Sequence, residues 1–265
     1  DIFVNPFTDF GFKRLFGEEP NKLLLISLLN TLLPIKHQIQ DLQYSKNEYQ
    51  GANALDRKAI FDLNCVSTTG ERFIVELQKA KQNFFKDRSV YYATFPIQEQ
   101  AVKGDWDFKL AAVYTVGILD FVFDEDAKSR NTEVVHYIQL KNQRNQVFYD
   151  KLTFIYITLP QFKKSLNELQ SIQDKWFYVF KHLSELDEIP PVLQEAVFLQ
   201  LFEAAKVAKF SPSERQAYEN SLKYYRDLKN VTDTARDEGR EEGFEEGFEE
   251  GIEKGREEGK NLGLK

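Results

Sequence analysis

Residues 109–123, KLAAVYTVGILDFVF, are an almost continuous run of β-branched, aromatic and aliphatic side chains, with Asp120 the one charge after Lys109. A strand with one solvated face alternates apolar and polar residues, whereas an unbroken run is the pattern of a strand buried on both faces. Such a strand needs cover from both sides, so an α/β body is expected around it.

The flanking sequence supplies that cover. Thr8 is placed to cap a short helix over 9–16 that Gly17 ends. Pro20 and Pro34 bracket an apolar helix over 23–33. An extended segment over 38–50, a hairpin over 57–78 and a helix over 82–103, stopped by Gly104-Asp105, follow. Strands are expected at 133–140 and 147–158, on either side of a polar turn at 141–146. Beyond Pro160 the pattern becomes helical, with Trp176, Phe177 and Phe180 spaced along one apolar face. The expected organisation is a core over 1–160, a helical cap or appendage over 161–230 and a tail over 231–265.

Composition excludes several classes. The single cysteine, Cys65, rules out an internal disulfide framework and a Cys-rich zinc site, and is expected to be a small core residue. The three histidines, His37, His136 and His182, lack metal-ligand spacing. No basic-then-apolar leader opens the sequence and no apolar run approaches a membrane span, so the cytoplasm is the expected compartment and no membrane partner is expected. The net charge is −7, but residues 231–265 hold 12 acids against 6 bases, a net of −6, leaving −1 for residues 1–230. A near-neutral body neither supports nor excludes the local basic patch of a nucleic-acid binder.

The tail repeats glycine every fourth residue from Gly239 to Gly263, with Phe244, Phe248 and Ile252 each following one. A period of four exceeds the helical 3.6, so a regular helix carries the stripe around itself. Each glycine costs a helix about 0.8–1.0 kcal/mol relative to alanine. The segment reads either as a solvated, partly disordered extension or as a self-association strip in which glycine permits close approach.

The hairpin carries the chemistry. Lys58–Val66 and Arg72–Gln78 both alternate, and Thr68-Thr69-Gly70 between them suits a three-residue loop with Gly70 in the left-handed conformation. That closure pairs Ser67 with Glu71 and sets Asp62 opposite Glu76. Phe61, Leu63, Cys65, Phe73, Val75 and Leu77 then share the core face, and Asp62, Asn64, Glu76 and Gln78 the other, with Ile60 and Ile74. Directly opposed Cβ atoms lie about 4.5–5.5 Å apart, where like charges destabilise a sheet. Two carboxylates so placed suit water or a hard cation such as Mg²⁺, which takes one or two carboxylates plus waters and substrate phosphate. A hairpin with one solvated face carries the same pairing by chance, and a one-residue slip removes it.

Asp62, thirteen residues and then Glu76-Leu77-Gln78 resembles the PD-(D/E)XK nuclease signature, with Gln78 in the usual lysine position. The opening Asn5-Pro6-Phe7-Thr8-Asp9-Phe10-Gly11-Phe12-Lys13-Arg14-Leu15-Phe16-Gly17, the Arg57…Asp62 strand and Gly70–Gln78 are similar to the bacterial Rpn family of recombination-promoting nucleases and transposases. So are Phe85, Arg88 and Tyr91-Tyr92, Phe148-Tyr149, the strand before Leu159-Pro160 and the Glu-Gly tail. The resemblance implies a restriction-endonuclease-like mixed sheet flanked by helices. It also implies Mg²⁺-dependent cleavage of double-stranded DNA, with Mn²⁺ as a substitute, linked to recombination and mobile elements.

By that likeness Asp62 and Glu76 are metal ligands, with the Leu77 carbonyl as a third. Gln78, where a lysine would orient water, can only exchange hydrogen bonds. Asp9, one turn from Lys13, is either the first acidic element of the site or an acid favoured by the helix N-terminus. Lys13, Arg57, Lys58 and Arg88 are candidate phosphate contacts, although a helical arginine also serves as a surface ion pair or a stem over apolar groups. The alternative function is a catalytically weak or inactive nuclease-derived DNA-binding or interaction protein that forms homo-oligomers through its tail.

Overall fold

A mixed sheet organises the chain in the computed structural model, which describes residues 2–34, 38–49, 59–101, 107–129 and 131–263. In chain order the strands are β1 (Leu42–Tyr44), β2 (Glu48–Tyr49), β3 (Ala59–Ile60), β4 (Leu63–Ser67), β5 (Arg72–Gln78), β6 (Val113–Leu119), β7 (Val135–Lys141) and β8 (Val147–Thr158). Six of them form one sheet in the order β1-β4-β5-β6-β8-β7, and β2 pairs separately with β3. β5, β6 and β8 run parallel, while β1, β4 and β7 are antiparallel to their neighbours. The central β6 is buried along its whole length, as its unbroken apolar run requires.

Helices cover both faces. α1 (Asp9–Phe16) begins where the Thr8 side chain accepts from the Gly11 N–H, and Gly17 ends it. Glycine at position 11 is a packing demand: a Cβ there would lie 2.1 Å from the Asn5 carbonyl oxygen. α2 (Lys22–Leu32), α5 (Ile172–His182) and α6 (Ala196–Ala205) pack with α1 around an aromatic core. In it the Phe16 ring stacks on Phe180 at 5.3 Å and meets Trp176 at 5.8 Å, while Trp176 meets Phe198 at 5.0 Å. The cluster adjoins the sheet where the Tyr44 hydroxyl donates to the Phe16 carbonyl and the Tyr137 hydroxyl to that of Leu32. α3 (Phe85–Gln98) covers the opposite face, packing Tyr92 and Phe95 on Phe61 and Ile74, and Phe85 on Tyr156. A six-residue helix, α4 (Asp124–Ser129), precedes β7.

The chain divides into two units, Asp1–Leu222 and Lys223–Lys265, and α7 (Pro212–Gly263) is the last helix. In the second unit the glycine-rich repeat is helical to Gly263, although its glycines are poor helix formers. The Glu, Arg and Lys between them favour a helix and offset part of that cost. Phe244 and Phe248 are exposed, with near-parallel rings 6.4 Å apart. No helix among the described residues is long and apolar enough to cross a membrane.

The hairpin register is the one the loop length implies: Leu63 faces Val75, Asn64 Ile74, Cys65 Phe73 and Val66 Arg72. Gly70 takes φ +95°. The alternative of a hairpin with one solvated face does not hold, because α3 lies over the second face and Asn64, Ile74 and Gln78 are all buried. One expectation about this hairpin is corrected. Phe61 sits on that α3 face beside Ile74, not with Leu63, because the strand breaks at Phe61-Asp62 between β3 and β4 and the alternation restarts. The break is held from outside the hairpin, since the Phe61 N–H donates to the Asn47 carbonyl at 2.8 Å.

Candidate metal-dependent nuclease site

The break at Phe61-Asp62 leaves the end of β5 short of a ladder partner. Leu77 would exchange bonds with residue 61, but the Phe61 N–H is engaged elsewhere, and the Leu77 N–H instead donates to Asp62 Oδ2 at 2.7 Å. In return the Asp62 N–H donates to Glu76 Oε1 at 3.2 Å. The acids therefore meet through crossed side-chain-to-backbone bonds where the hairpin ladder stops. A residue's carbonyl and N–H point the same way from a strand, so the Leu77 carbonyl also faces this gap.

Burial dominates the electrostatics. Desolvation raises the Glu76 carboxyl to about 8, the nearby Asp62 charge adds to that rise, and the Asp62 N–H and the Arg88 charge oppose it. Asp62 is also raised, first by desolvation and then by the Asp9 charge, against the Leu77 N–H and the charges of Lys13 and Lys79. Both carboxyls are still raised despite those charges, so their ionised forms remain costly, and a divalent cation would offset that cost. Among the described residues no three His, Cys, Asp or Glu side chains gather as a metal cage. Mg²⁺ does not require one, since it keeps waters and accepts one or two carboxylates with carbonyl oxygen. The donor set of Asp62, Glu76 and the Leu77 carbonyl fits such an ion.

Other expected site residues divide between the two faces. On the α3 side, Gln78 has both ends of its amide engaged: Nε2 donates to the Ala80 carbonyl at 2.7 Å and Oε1 accepts from Arg88 Nη2 at 2.5 Å. Arg88 also bonds Gln82 and lies 5.8 Å from the centroids of Phe85 and Tyr92. On the α1 side, Asp9 is exposed and paired with Lys79 at 2.5 Å, and Lys13 is exposed on the same helix. Both α1 residues act on Asp62 through charge. Arg57 and Lys58 lie outside the described residues.

Sequence reasoning missed Lys79, whose side chain is 8% exposed and whose charge reaches Asp62. Nothing in the strand alternation marks it, because its partner Asp9 is 70 residues away. It also missed Thr115, which joins Glu76, Arg88, Tyr92 and Gly117 around a small cavity under α3. A Cβ on Gly117 would lie 2.8 Å from the Tyr156 ring, which explains the glycine inside β6.

A mixed sheet covered by helices on both faces, with paired acids at the broken end of its hairpin, defines a restriction-endonuclease-like α/β protein. The chain belongs to the PD-(D/E)XK nuclease family transposases, whose family model matches residues 6–235. Membership supports a nuclease or mobile-element role. No curated protein and no solved structure matches the chain.

Proposed function

We propose that this protein is a Mg²⁺-dependent endonuclease that hydrolyses phosphodiester bonds in double-stranded DNA, with Mn²⁺ able to substitute, in recombination or the movement of mobile elements in a bacterial cytoplasm. The crossed bonds joining Asp62, Glu76 and Leu77 at the ladder break are the observation that carries this reading. Asp62 and Glu76 would hold the ion through their carboxylates and Leu77 through its carbonyl. When bound, such an ion polarises the scissile phosphate and lowers the pKa of an attacking water.

The remaining residues act around that pair. Asp9 holds the Lys79 ammonium beside Asp62. Lys13 and Arg88 approach from α1 and α3 as phosphate contacts, with Arg57 and Lys58 proposed for the same task. Gln78, neutral and bonded to Arg88, contributes by holding its neighbour.

That neutral amide also favours a second reading, a nuclease-derived DNA-binding protein that has lost the chemistry. Plasmid nicking in Mg²⁺ separates the two. Asp62→Ala and Glu76→Ala should each abolish cutting while the chain stays folded; cutting at the wild-type rate by both variants removes the nuclease reading. The exposed Phe244, Phe248 and Ile252 of the tail support a proposed role in homo-oligomer formation.

A further inference from the structure

Hydrolysis of a phosphodiester builds negative charge on the phosphoryl oxygens, and a site gains rate by aiming preorganised positive groups at it. Two carboxylates and one divalent ion are together neutral, so a cation from the chain would add to the stabilisation of that charge. This inference rests on the nuclease reading above.

Among the described residues three cations act on the paired acids: Lys13, Lys79 and Arg88. Lys13 is exposed on α1, on the Asp62 side. Lys79 is held on the α1 side by Asp9 at 2.5 Å, so its charge is matched by an acid. Arg88 is on the α3 side with Glu76, half-buried, and its bonds go to the neutral amides of Gln78 and Gln82. Its charge is therefore undiminished by either partner. Guanidinium stays protonated in proteins and presents five donors in a rigid fork suited to phosphate, two of which these bonds occupy. The Phe85 and Tyr92 rings, each 5.8 Å from the guanidinium carbon, restrict it further. The Gln78 amide is neutral and cannot supply the lysine's charge; its oxygen accepts from Arg88 and one of its two N–H donors goes to the Ala80 carbonyl.

We propose that Arg88 is a catalytic residue that supplies positive charge beside the Asp62–Glu76 pair, and that Gln78 is a positioning residue that fixes the guanidinium at the end of β5. A neutral side chain at position 78 is then a requirement of this arrangement, since a lysine there would repel the group it must hold.

Single-turnover cleavage of a DNA duplex in Mg²⁺, with melting temperatures measured in parallel, tests the assignment. Arg88→Met keeps an apolar stem against Phe85 and Tyr92 but removes the charge. It should lower the cleavage rate about 100-fold or more, the size of losing one transition-state donor, and weaken DNA binding by about tenfold at most, so that the loss falls mainly on the chemical step. Arg88→Lys keeps charge without the fork and should lose less. Gln78→Ala should slow cleavage about tenfold by loosening the guanidinium, with a lowered melting temperature but a chain still folded at the assay temperature. Adding Gln78→Lys to Arg88→Met should recover at least about tenfold, because it returns a cation to the same end of β5. Wild-type cleavage by Arg88→Met overturns the proposal, as does a loss confined to DNA affinity, which marks an ordinary phosphate contact. If Arg88→Met does not fold, wild-type cleavage by Gln78→Ala overturns it instead. Absence of cleavage by the wild-type chain sinks the nuclease reading and this assignment together, whereas an active wild type with indifferent variants sinks this one alone.

Discussion

The Asp62 main-chain N–H donates to the Glu76 carboxylate at 3.2 Å while the Asp62 carboxylate accepts the N–H of Leu77, the residue after Glu76, at 2.7 Å. Each acid is thus anchored by the backbone of the other's strand. The anchors set the acids where burial makes their charges costly without a counter-ion.

That cost makes stability depend on pH. Glu76 is raised from an ordinary carboxylate value of 4.5 to about 8, and Asp62 shifts in the same direction. Between those values the unfolded chain has released a proton that the folded chain keeps, so stability is fully present below about 4.5 and declines as pH rises through 8. Metal-free protein should melt at a lower temperature at pH 8 than at pH 5. Glu76→Gln should melt above the wild type at pH 8, by about 2–4 °C for each kcal/mol recovered. Identical pH profiles for the two proteins would contradict the buried-acid account.

Ion binding should release protons, because a carboxyl still protonated near neutrality must ionise to become a ligand. Calorimetric titration of Mg²⁺ or Mn²⁺ at pH 7 should give heats that vary with the ionisation enthalpy of the buffer. Glu76→Gln should weaken binding and remove most of that dependence. Heats independent of buffer would mean that Glu76 is already ionised before the metal arrives.

Gly11→Ala tests the packing of the opening segment. The added Cβ would sit 2.1 Å from the Asn5 carbonyl and 2.7 Å from Thr8 Oγ1, the capping atom of α1. Overpacking of this kind costs about 1–3 kcal/mol or more. Urea unfolding should therefore show a clear drop in midpoint, and a midpoint equal to the wild type would mean that the segment relaxes freely.

Cys65 is buried in β4 with its thiol pushed up to about 12 by desolvation. The thiolate is the reactive form, so a thiol reagent at pH 8 should label the folded protein only on the unfolding timescale and the urea-denatured protein at once. Rapid labelling of the native state would place the β4–β5 hairpin in a more open structure.

A chain ending at residue 230 should elute from gel filtration as a smaller species than loss of the tail's mass alone explains, if Phe244, Phe248 and Ile252 join copies. Elution that differs only by that mass removes the tail from assembly.

Local rules determined much of this protein. The three-residue loop with Gly70 set the hairpin register, Thr8 and Gly17 bounded the first helix, and the unbroken apolar run of 109–123 located the central strand. Each depends on residues a few positions apart, where backbone geometry and side-chain alternation leave few choices. What surrounds the acids was decided by tertiary structure. The ladder break needs the Asn47 carbonyl, the cover over Ile74 needs α3, the Arg88–Gln78 bond joins a helix to a strand end, and Lys79 meets Asp9 across 70 residues. Burial turns two alternating acids into a charged gap, and burial is a property of what packs above a strand, which the strand's own pattern does not contain.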